Sequence, residues 1–324
     1  MRVGKLTNEQ LDKLILSKLR HTRSEVVCAP SVGVDCTAVA LKNGLAVLSC
    51  DPITAAETGV GRLTVNVSCN DAAASGAEPI GLMITLLLPP SVTEEEIGAV
   101  MDEIAEAAAA ANVDIIGGHT EITPAVNRIV TCATVIASPV TPEFITPKGL
   151  RDGDAIIMTK HAGLEGAMIL ADKLPKTSRL LSRAEREEVR GFADETSVVR
   201  EGLIAAKHGA HAMHDVTEGG IMGALWEMST ASGVGVRFDL EAIPVRPVVK
   251  KLCAHYGIDV YKLISSGSML IAAEDAEAMA QLLRENGVEA AIIGYADGSL
   301  AGGECIDGSG STLDPPEADE IYKA

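Results

Sequence analysis

Aromatic side chains are nearly missing: one Trp, four Tyr and three Phe in 324 residues, 2% of the chain. The cores must therefore be built from Ala, Val, Leu, Ile and Met, and no series of rings is available for nucleic-acid bases to stack on. Positive charge is short as well, with 27 Lys and Arg against 45 Asp and Glu, a formal net charge of -18. Such a surface repels phosphate backbones and anionic lipid, which excludes a nucleic-acid partner and a membrane partner. No apolar run spans a bilayer: "IGLMITLLL" (80–88) stops at Pro89-Pro90, far short of the ~20 residues a membrane helix needs. The seven cysteines (28, 36, 50, 69, 132, 253, 305) form no C-x-x-C pair and are odd in number, so they read as reduced thiols of a cytoplasmic protein. The N-terminus "MRVGKLTNEQLDKLILSKL" lacks the uninterrupted apolar stretch and small-residue cleavage site of a secretory signal. Its Leu11, Leu14, Ile15 and Leu19 predict a packed amphipathic helix instead. Also absent are a Walker A lysine loop and a G-x-G-x-x-G turn after the first strand, so the common mononucleotide and Rossmann frames do not apply.

What is present is a chain that is 47% hydrophobic and long enough for one large or two ordinary domains. In the first half, "LAVLSCD" (45–51), "IGLMITLLL" (80–88), "VDIIGG" (113–118) and "RIVTCATVIAS" (128–138) have strand length and composition, with "VDIIGG" expected as a buried strand. "RLTVNVSCNDAAASG" opens with strand-like alternation and turns Ala-rich and helix-compatible, placing Asn70 and Asp71 at the mouth of a helix. "SVTEEEIGAVMDEIAEAAAAAN" predicts a helix, opened by a Thr93–Glu96 capping box and carrying Ile97, Met101, Ile104 and Ala108 on one face. Three prolines and two glycines in "PVTPEFITPKGLRDGD" (139–154) break every period, dividing the chain into domains at 1–140 and 150–324. Beyond the break, "AIIMTK", "SMLIAAE" and "AAIIGYA" read as strands. "GLEGAMILADKL", "SRAEREEVRGF", "TSVVREGLIAAKHG", "IMGALWEMSTASG" and "DAEAMAQLLRENG" read as helices, the second with a Ser182–Glu185 capping box. Pro315-Pro316 begin an acidic, exposed tail.

Polar residues gather where apolar strands end. Asp35 follows a glycine-bearing turn, Asp51 closes a strand, Asn70 and Asp71 share a helix, and His119, Thr120 and Glu121 follow Gly117-Gly118. Any one acid at a turn or helix start is ordinarily a cap. Several together repel one another unless a hard cation such as magnesium lies between them, and such a cation prefers a few carboxylates plus polyphosphate oxygens. Gly117 and Gly118 then have two readings: a backbone that approaches a phosphate and offers it N–H groups, or a turn closing the strand. In "MHDVTEGGIMGALWEM", Asp215 and Thr217 precede Gly219-Gly220 at a helix N-terminus, a place where an anion is welcome or where an Asp or Thr simply caps. His208, His211 and His214 recur at three-residue intervals, but their expected elements do not assemble them into a zinc site.

The ordered set "GVDCTA", "SCDPIT", "CNDAAASGAEP", "IIGGHTE", "HDVTEGGIMGAL", "SSGSMLIA" and "IIGYA" resembles the AIR synthase (PurM-like) superfamily, from about residue 30 onward. Within it the chain is most similar to HypE-like members, particularly in "DPIT" and "PPEADEIYK". The resemblance implies an α+β fold of two domains, each a mixed sheet backed by helices, and a homodimer whose N-terminal sheets join into a barrel. It implies ATP and magnesium, with Asp35, Asp51 and Asp71 as metal or phosphate ligands, Asn70 orienting the neighbouring loop, and Glu121 as a further metal ligand. Gly117, Gly118, His119, Thr120, Thr217, Gly219 and Gly220 would line the nucleotide, and Asp71 and Asp215 would act in catalysis. The implied chemistry is phosphoryl transfer from ATP to an oxygen of a small amide, carbonyl or phosphate substrate, in an enzyme linked to hydrogenase or other metalloenzyme maturation and to a partner protein of that process. The alternative is a nucleotide-binding accessory protein that turns over nothing. Two departures stand out. His119 occupies a position where many members have an acid, and the chain ends "EIYKA" without the terminal cysteine of HypE, its last cysteine being Cys305.

Overall fold

The structure is a computed structural model that describes residues 8–9, 24, 26–28, 31–34, 36–41, 44–54, 56, 58–142, 144–175, 177–315 and 318–324. Asp35 and nearly all of the expected N-terminal helix lie outside the described residues.

Two six-stranded sheets divide the chain. The first is built from β1 (Val26–Cys28), β2 (Thr37–Leu41), β3 (Gly44–Ile53), β4 (Ala77–Leu88), β5 (Asp114–Ile122) and β6 (Val130–Pro139), in the order β1-β2-β3-β6-β4-β5. Helices α1 (Val60–Ala74) and α2 (Glu94–Ala111) cover one face, where Val65, Cys69, Leu82, Leu86, Ile104 and Val135 form the core. The second sheet runs β12-β9-β11-β7-β10-β8. Its strands are β7 (Ala155–Thr159), β8 (Ala212–Asp215), β9 (Val234–Phe238), β10 (Met269–Ala273), β11 (Ala290–Ala301) and β12 (Cys305–Asp307). It is packed by α3 (Leu164–Asp172), α4 (Arg183–Gly191), α5 (Val199–Lys207), α6 (Gly220–Ser232), α7 (Pro247–Tyr256) and α8 (Ala276–Glu285). Pairing is antiparallel except for β4–β5 and β9–β12, so the class is α+β with mixed sheets. Both capping boxes form: the Thr93 and Ser182 side chains accept from the N–H groups of Glu96 and Glu185, whose carboxylates answer back.

Three expectations are corrected. The alternating opening of "RLTVNVSCNDAAASG" is helical from Val60, because α1 is buried on nearly every side and so shows no amphipathic period. Asn70 and Asp71 consequently sit toward the C-terminal end of α1, not at its mouth. The strand containing Gly117-Gly118 is not buried: all nine residues of β5 are exposed, at the sheet edge. Composition alone cannot tell an apolar edge strand from a core strand. Finally, the acidic C-terminal segment is solvated only in part: Pro315, Ala318 and residues 322–324 are exposed, but Asp319, Glu320 and Ile321 are buried, Ile321 inside the core formed with α3 and α7.

Among the described residues no helix is long and apolar enough to cross a membrane.

Candidate functional site

β3 places alternate residues on its helix-covered face, where Ser49 and Asp51 look toward α1. The Ser49 hydroxyl lies 2.5 Å from Asp71 Oδ2 and 3.1 Å from Asp51 Oδ2. One hydroxyl proton serves one carboxylate at a time, so the second acid gains little from Ser49. Asp71 is 4% exposed and near the C-terminal end of α1, where the helix dipole is negative and the last turn holds no basic residue. Two acids placed this way repel each other, and the negative helix end adds to that repulsion. Among the described residues no group of three metal-ligating side chains assembles, and Asp35, the expected third acid, lies outside them.

Asp71 also lines a cleft between the halves of the molecule, together with Ala74, Ser75, Thr146, Pro147, His214 and Asp215. Asp215 ends β8 and is 3% exposed. Its neighbour His214 is equally buried and pairs through Nε2 with Glu227 at 3.0 Å. The three histidines go separate ways: His208 Nδ1 is 2.8 Å from the Ile204 carbonyl and His211 Nδ1 is 2.8 Å from Asp154.

β5 stands apart from this group. Asp51 pairs with Ala133 of β6, Ala133 with Ile84 of β4, and Ile84 with Gly118 of β5. Three strand spacings, about 14 Å, thus separate Asp51 from the level of Gly118. His119, Thr120 and Glu121 do not join Asp51 and Asp71 within one chain; His119 Nε2 instead lies 3.7 Å from Glu121. The demand for glycine at 118 has a local cause. With φ of +152°, a Cβ there would lie 1.9 Å from the Ile84 carbonyl oxygen, so the close approach is to the β4 backbone. At Gly117 a Cβ would meet only the end of Met83, at 4.0 Å.

Asn70 is a clamp between the halves. Its Nδ2 donates to the Thr196 carbonyl at 2.8 Å and its Oδ1 accepts from the Val198 N–H at 2.7 Å. Asn66, one turn earlier, donates to Thr196 Oγ1 at 2.8 Å. From the other side, Lys160 Nζ donates to the carbonyls of Glu195 and Ser197 and pairs with Glu201 at 2.8 Å.

The N-terminus of α6 does meet an anion, and it belongs to the chain itself. Asp319 Oδ2 accepts from the Gly219 N–H at 2.7 Å, and Oδ1 from the Ile321 N–H at 2.8 Å. Burial pushes the Asp319 carboxyl up to about 6 while these N–H groups pull it down. Gly220, at φ +61°, has no room for a side chain because a Cβ would fall 2.6 Å from the Tyr261 carbonyl oxygen. Nearby, Glu165 in the first turn of α3 is raised to about 7 by burial; Ser266 donates to it, while Asp319 and Glu218 push further upward. Thr217 precedes this turn and gives its carbonyl to the Gly220 N–H at 3.1 Å. Glu165, Ser49 and Asp319 were not read from the sequence, since no local pattern reports contacts over such separations.

The profile described as AIR synthase related protein, N-terminal domain, matches residues 33–137, and its C-terminal counterpart matches residues 151–302. The chain is 30% identical over 241 residues to a putative hydrogenase expression/formation protein of Methanocaldococcus jannaschii, covering 73% of this chain and 70% of that one. It is 30% identical over 241 residues to the carbamoyl dehydratase HypE of Cupriavidus necator, covering 72% and 67%. Among solved structures, the hydrogenase maturation protein HypE in complex with ATP superposes with a TM-score of 0.74 at 22% identity, over 98% of this chain and 94% of that one. Thiamine monophosphate kinase from Aquifex aeolicus gives 0.74 at 18% identity, over 97% and 100%. These two likenesses establish a shared fold.

Proposed function

Because the chain belongs to the AIR synthase related protein family, we propose that it is an ATP- and magnesium-dependent enzyme of metalloenzyme maturation that phosphorylates an oxygen of a small substrate. The observation that carries this reading is the Ser49-bridged pair Asp51 and Asp71, with Asp71 sharing a cleft with Asp215. Asp51 and Asp71 hold the magnesium ion, joined by Asp35 where that residue closes the set. When bound, the ion offsets the charge of the phosphate oxygens; phosphoryl transfer asks the protein mainly for positioning and electrostatic support. Asp215 faces Asp71 across the cleft and orients the acceptor, while the Asn70 and Lys160 contacts fix the 195–198 segment between the two halves. The ATP complex of a HypE and the kinase activity named for the Aquifex relative support the nucleotide. The names of the hydrogenase maturation relatives support the process, and a HypE–HypF complex of the same fold supports a maturation partner protein.

The acceptor is not Cys305. That thiol is fully buried, 3.7 Å from the Leu225 carbonyl, and burial pushes it up to about 11.

A homodimer completes the reading. The face of the first sheet opposite α1 and α2 carries Ile80 at 56% and Met83 at 49% exposure, and β5 adds Ile116 at 52%. A second copy covers this apolar surface and brings its own Gly117–Glu121 strand toward the joint interface.

The test is ADP formation from magnesium-ATP with candidate amides, carbamoyl phosphate and the maturation partner present. Asp71→Asn is expected to lower turnover by two orders of magnitude or more, about 3 kcal/mol of transition-state support. Unchanged turnover removes Asp71 from the chemistry. Calorimetric ATP binding with no ADP formed under any of these conditions would select the alternative, a nucleotide-binding accessory protein.

A further inference from the structure

Two non-glycine residues among those described have a left-handed backbone, Asn112 at φ +54° and Lys160 at φ +53°. Asn112 is the C-cap of α2, where that conformation is ordinary. Lys160 follows the last residue of β7 and caps no helix. A lysine is strained there and a glycine would not be. Strain of this kind persists only where the surroundings hold the residue in place, and Lys160 is held by a full set of partners. Its Nζ donates to the Glu195 carbonyl at 3.0 Å and to the Ser197 carbonyl at 2.5 Å, and pairs with Glu201 at 2.8 Å. An ammonium has three protons, so none is left over. Glu201 is 2% exposed, and Lys160 is the cation that offsets its charge.

We propose that Lys160 is a positioning residue for the phosphoryl transfer: it sets where Asp215 stands relative to Asp71. The inference rests on the proposed function and adds to it a residue that acts through others. Two short paths lead from the ammonium, one to each acid of the cleft. Along the first, the Glu195 and Ser197 carbonyls flank Thr196, whose own carbonyl accepts from Asn70 Nδ2 at 2.8 Å, while the Val198 N–H donates to Asn70 Oδ1 at 2.7 Å. Asn70 immediately precedes Asp71 in α1. Along the second, Lys160 follows Thr159, whose hydroxyl accepts from the Met269 N–H at 3.1 Å. Met269 lies opposite Asp215 in the β8–β10 ladder. The two paths and the cleft that Asp71 and Asp215 both line form a closed ring.

Arg246 also reaches this segment, but only at the Glu195 carboxylate, 3.0 Å away, and it leaves the two carbonyls to Lys160. Taking the amine away frees both carbonyls at once, so the 195–198 segment is free to shift with Asn70 while Asp215 stays with the second sheet. Asp51 and Asp71 come from β3 and α1, both in the first half, and keep their geometry. Alignment across the cleft is then lost without loss of metal or nucleotide. A misplacement of ~1 Å at a reacting centre costs up to about a hundredfold in rate.

Lys160→Gly deletes the amine at a backbone conformation that glycine adopts freely, so the end of β7 is preserved. Lys160→Gly/Glu201→Gln also removes the buried carboxylate that would otherwise lack its cation. ADP formation is measured against ATP concentration in the wild type and both variants, with manganese affinity by electron paramagnetic resonance and amide exchange alongside. In both variants kcat should fall about tenfold or more, with KM for ATP and manganese affinity within about twofold of the wild type. Val198, whose N–H is held by Asn70, should lose protection in parallel. Wild-type kcat in either variant, unchanged protection at Val198, or a loss of manganese affinity or rise in KM as large as the loss of kcat would overturn the role. A wild type that forms no ADP would sink the proposed function and this role together, whereas a variant as fast as the wild type sinks this role alone.

Discussion

Asn70 offers the sharpest test of how the two halves are joined. It is 1% exposed, and each end of its amide meets a backbone group of the 196–198 segment. In Asn70→Ala the Thr196 carbonyl and the Val198 N–H both lose their partner. An orphaned buried polar group costs about 1–3 kcal/mol, so the pair predicts a loss of about 4 kcal/mol. Asn70→Asp should not rescue it. The carboxylate still accepts from Val198, but its second oxygen then opposes the Thr196 carbonyl oxygen and adds an acid beside Asp71. Asn66→Ala is the control. It removes one bond, to a Thr196 hydroxyl that retains the Ala193 carbonyl as acceptor at 2.9 Å, and should cost about 1 kcal/mol. Urea unfolding measures the totals, and amide exchange at Val198 reads the contact itself, with protection falling about a thousandfold in Asn70→Ala if the full 4 kcal/mol appears there. A loss under 1 kcal/mol with Val198 protection intact would refute the clamp.

Three further outcomes follow from individual contacts. Gly118→Ala should disrupt the β4–β5 pairing and lower the melting temperature sharply, because its Cβ would meet the Ile84 oxygen at 1.9 Å, whereas Gly117→Ala should be tolerated; equal effects would contradict the assignment of the close approach to 118. Glu165, raised from 4.5 to about 7 by burial, favours the folded state while protonated, so its contribution is complete below pH 4.5 and is lost as pH rises through 7. That amounts to about 3 kcal/mol, and Glu165→Gln should flatten this part of the stability profile in denaturant titrations from pH 5 to 8; an unchanged slope would show that burial does not hold the proton. Wild type should sediment at twice 33.6 kDa and Met83→Asp at the single-chain mass, while a wild type that sediments as one chain would leave the open face without a second copy.

The sequence was most legible where the signal is local. Thr93 with Glu96 and Ser182 with Glu185 announce their helices because a capping box is contained in four residues. The family motifs were equally readable, and they carried the α+β fold. Elements set by tertiary position were not. α1 shows no helical period because Val65, Asn66, Ser68, Cys69 and Asn70 are all buried, around most of its circumference. β5 looks like a core strand because Ile115, Ile116 and Ile122 are apolar, yet their exposure depends on β5 being last in the sheet. At the site, Asp51 and Asp71 could be suspected from their motifs, but Ser49 as their bridge could not. Nor could Asp319, which reaches Gly219 across a hundred residues of chain.

Asp51 and Asp71 are expected to share one divalent cation. Manganese binding followed by electron paramagnetic resonance in the presence of ATP measures this directly, because manganese substitutes for magnesium at oxygen ligands. One tightly held ion per chain is expected in the wild type, with affinity reduced about tenfold or more by Asp51→Asn and by Asp71→Asn. Wild-type affinity in both variants would contradict the account.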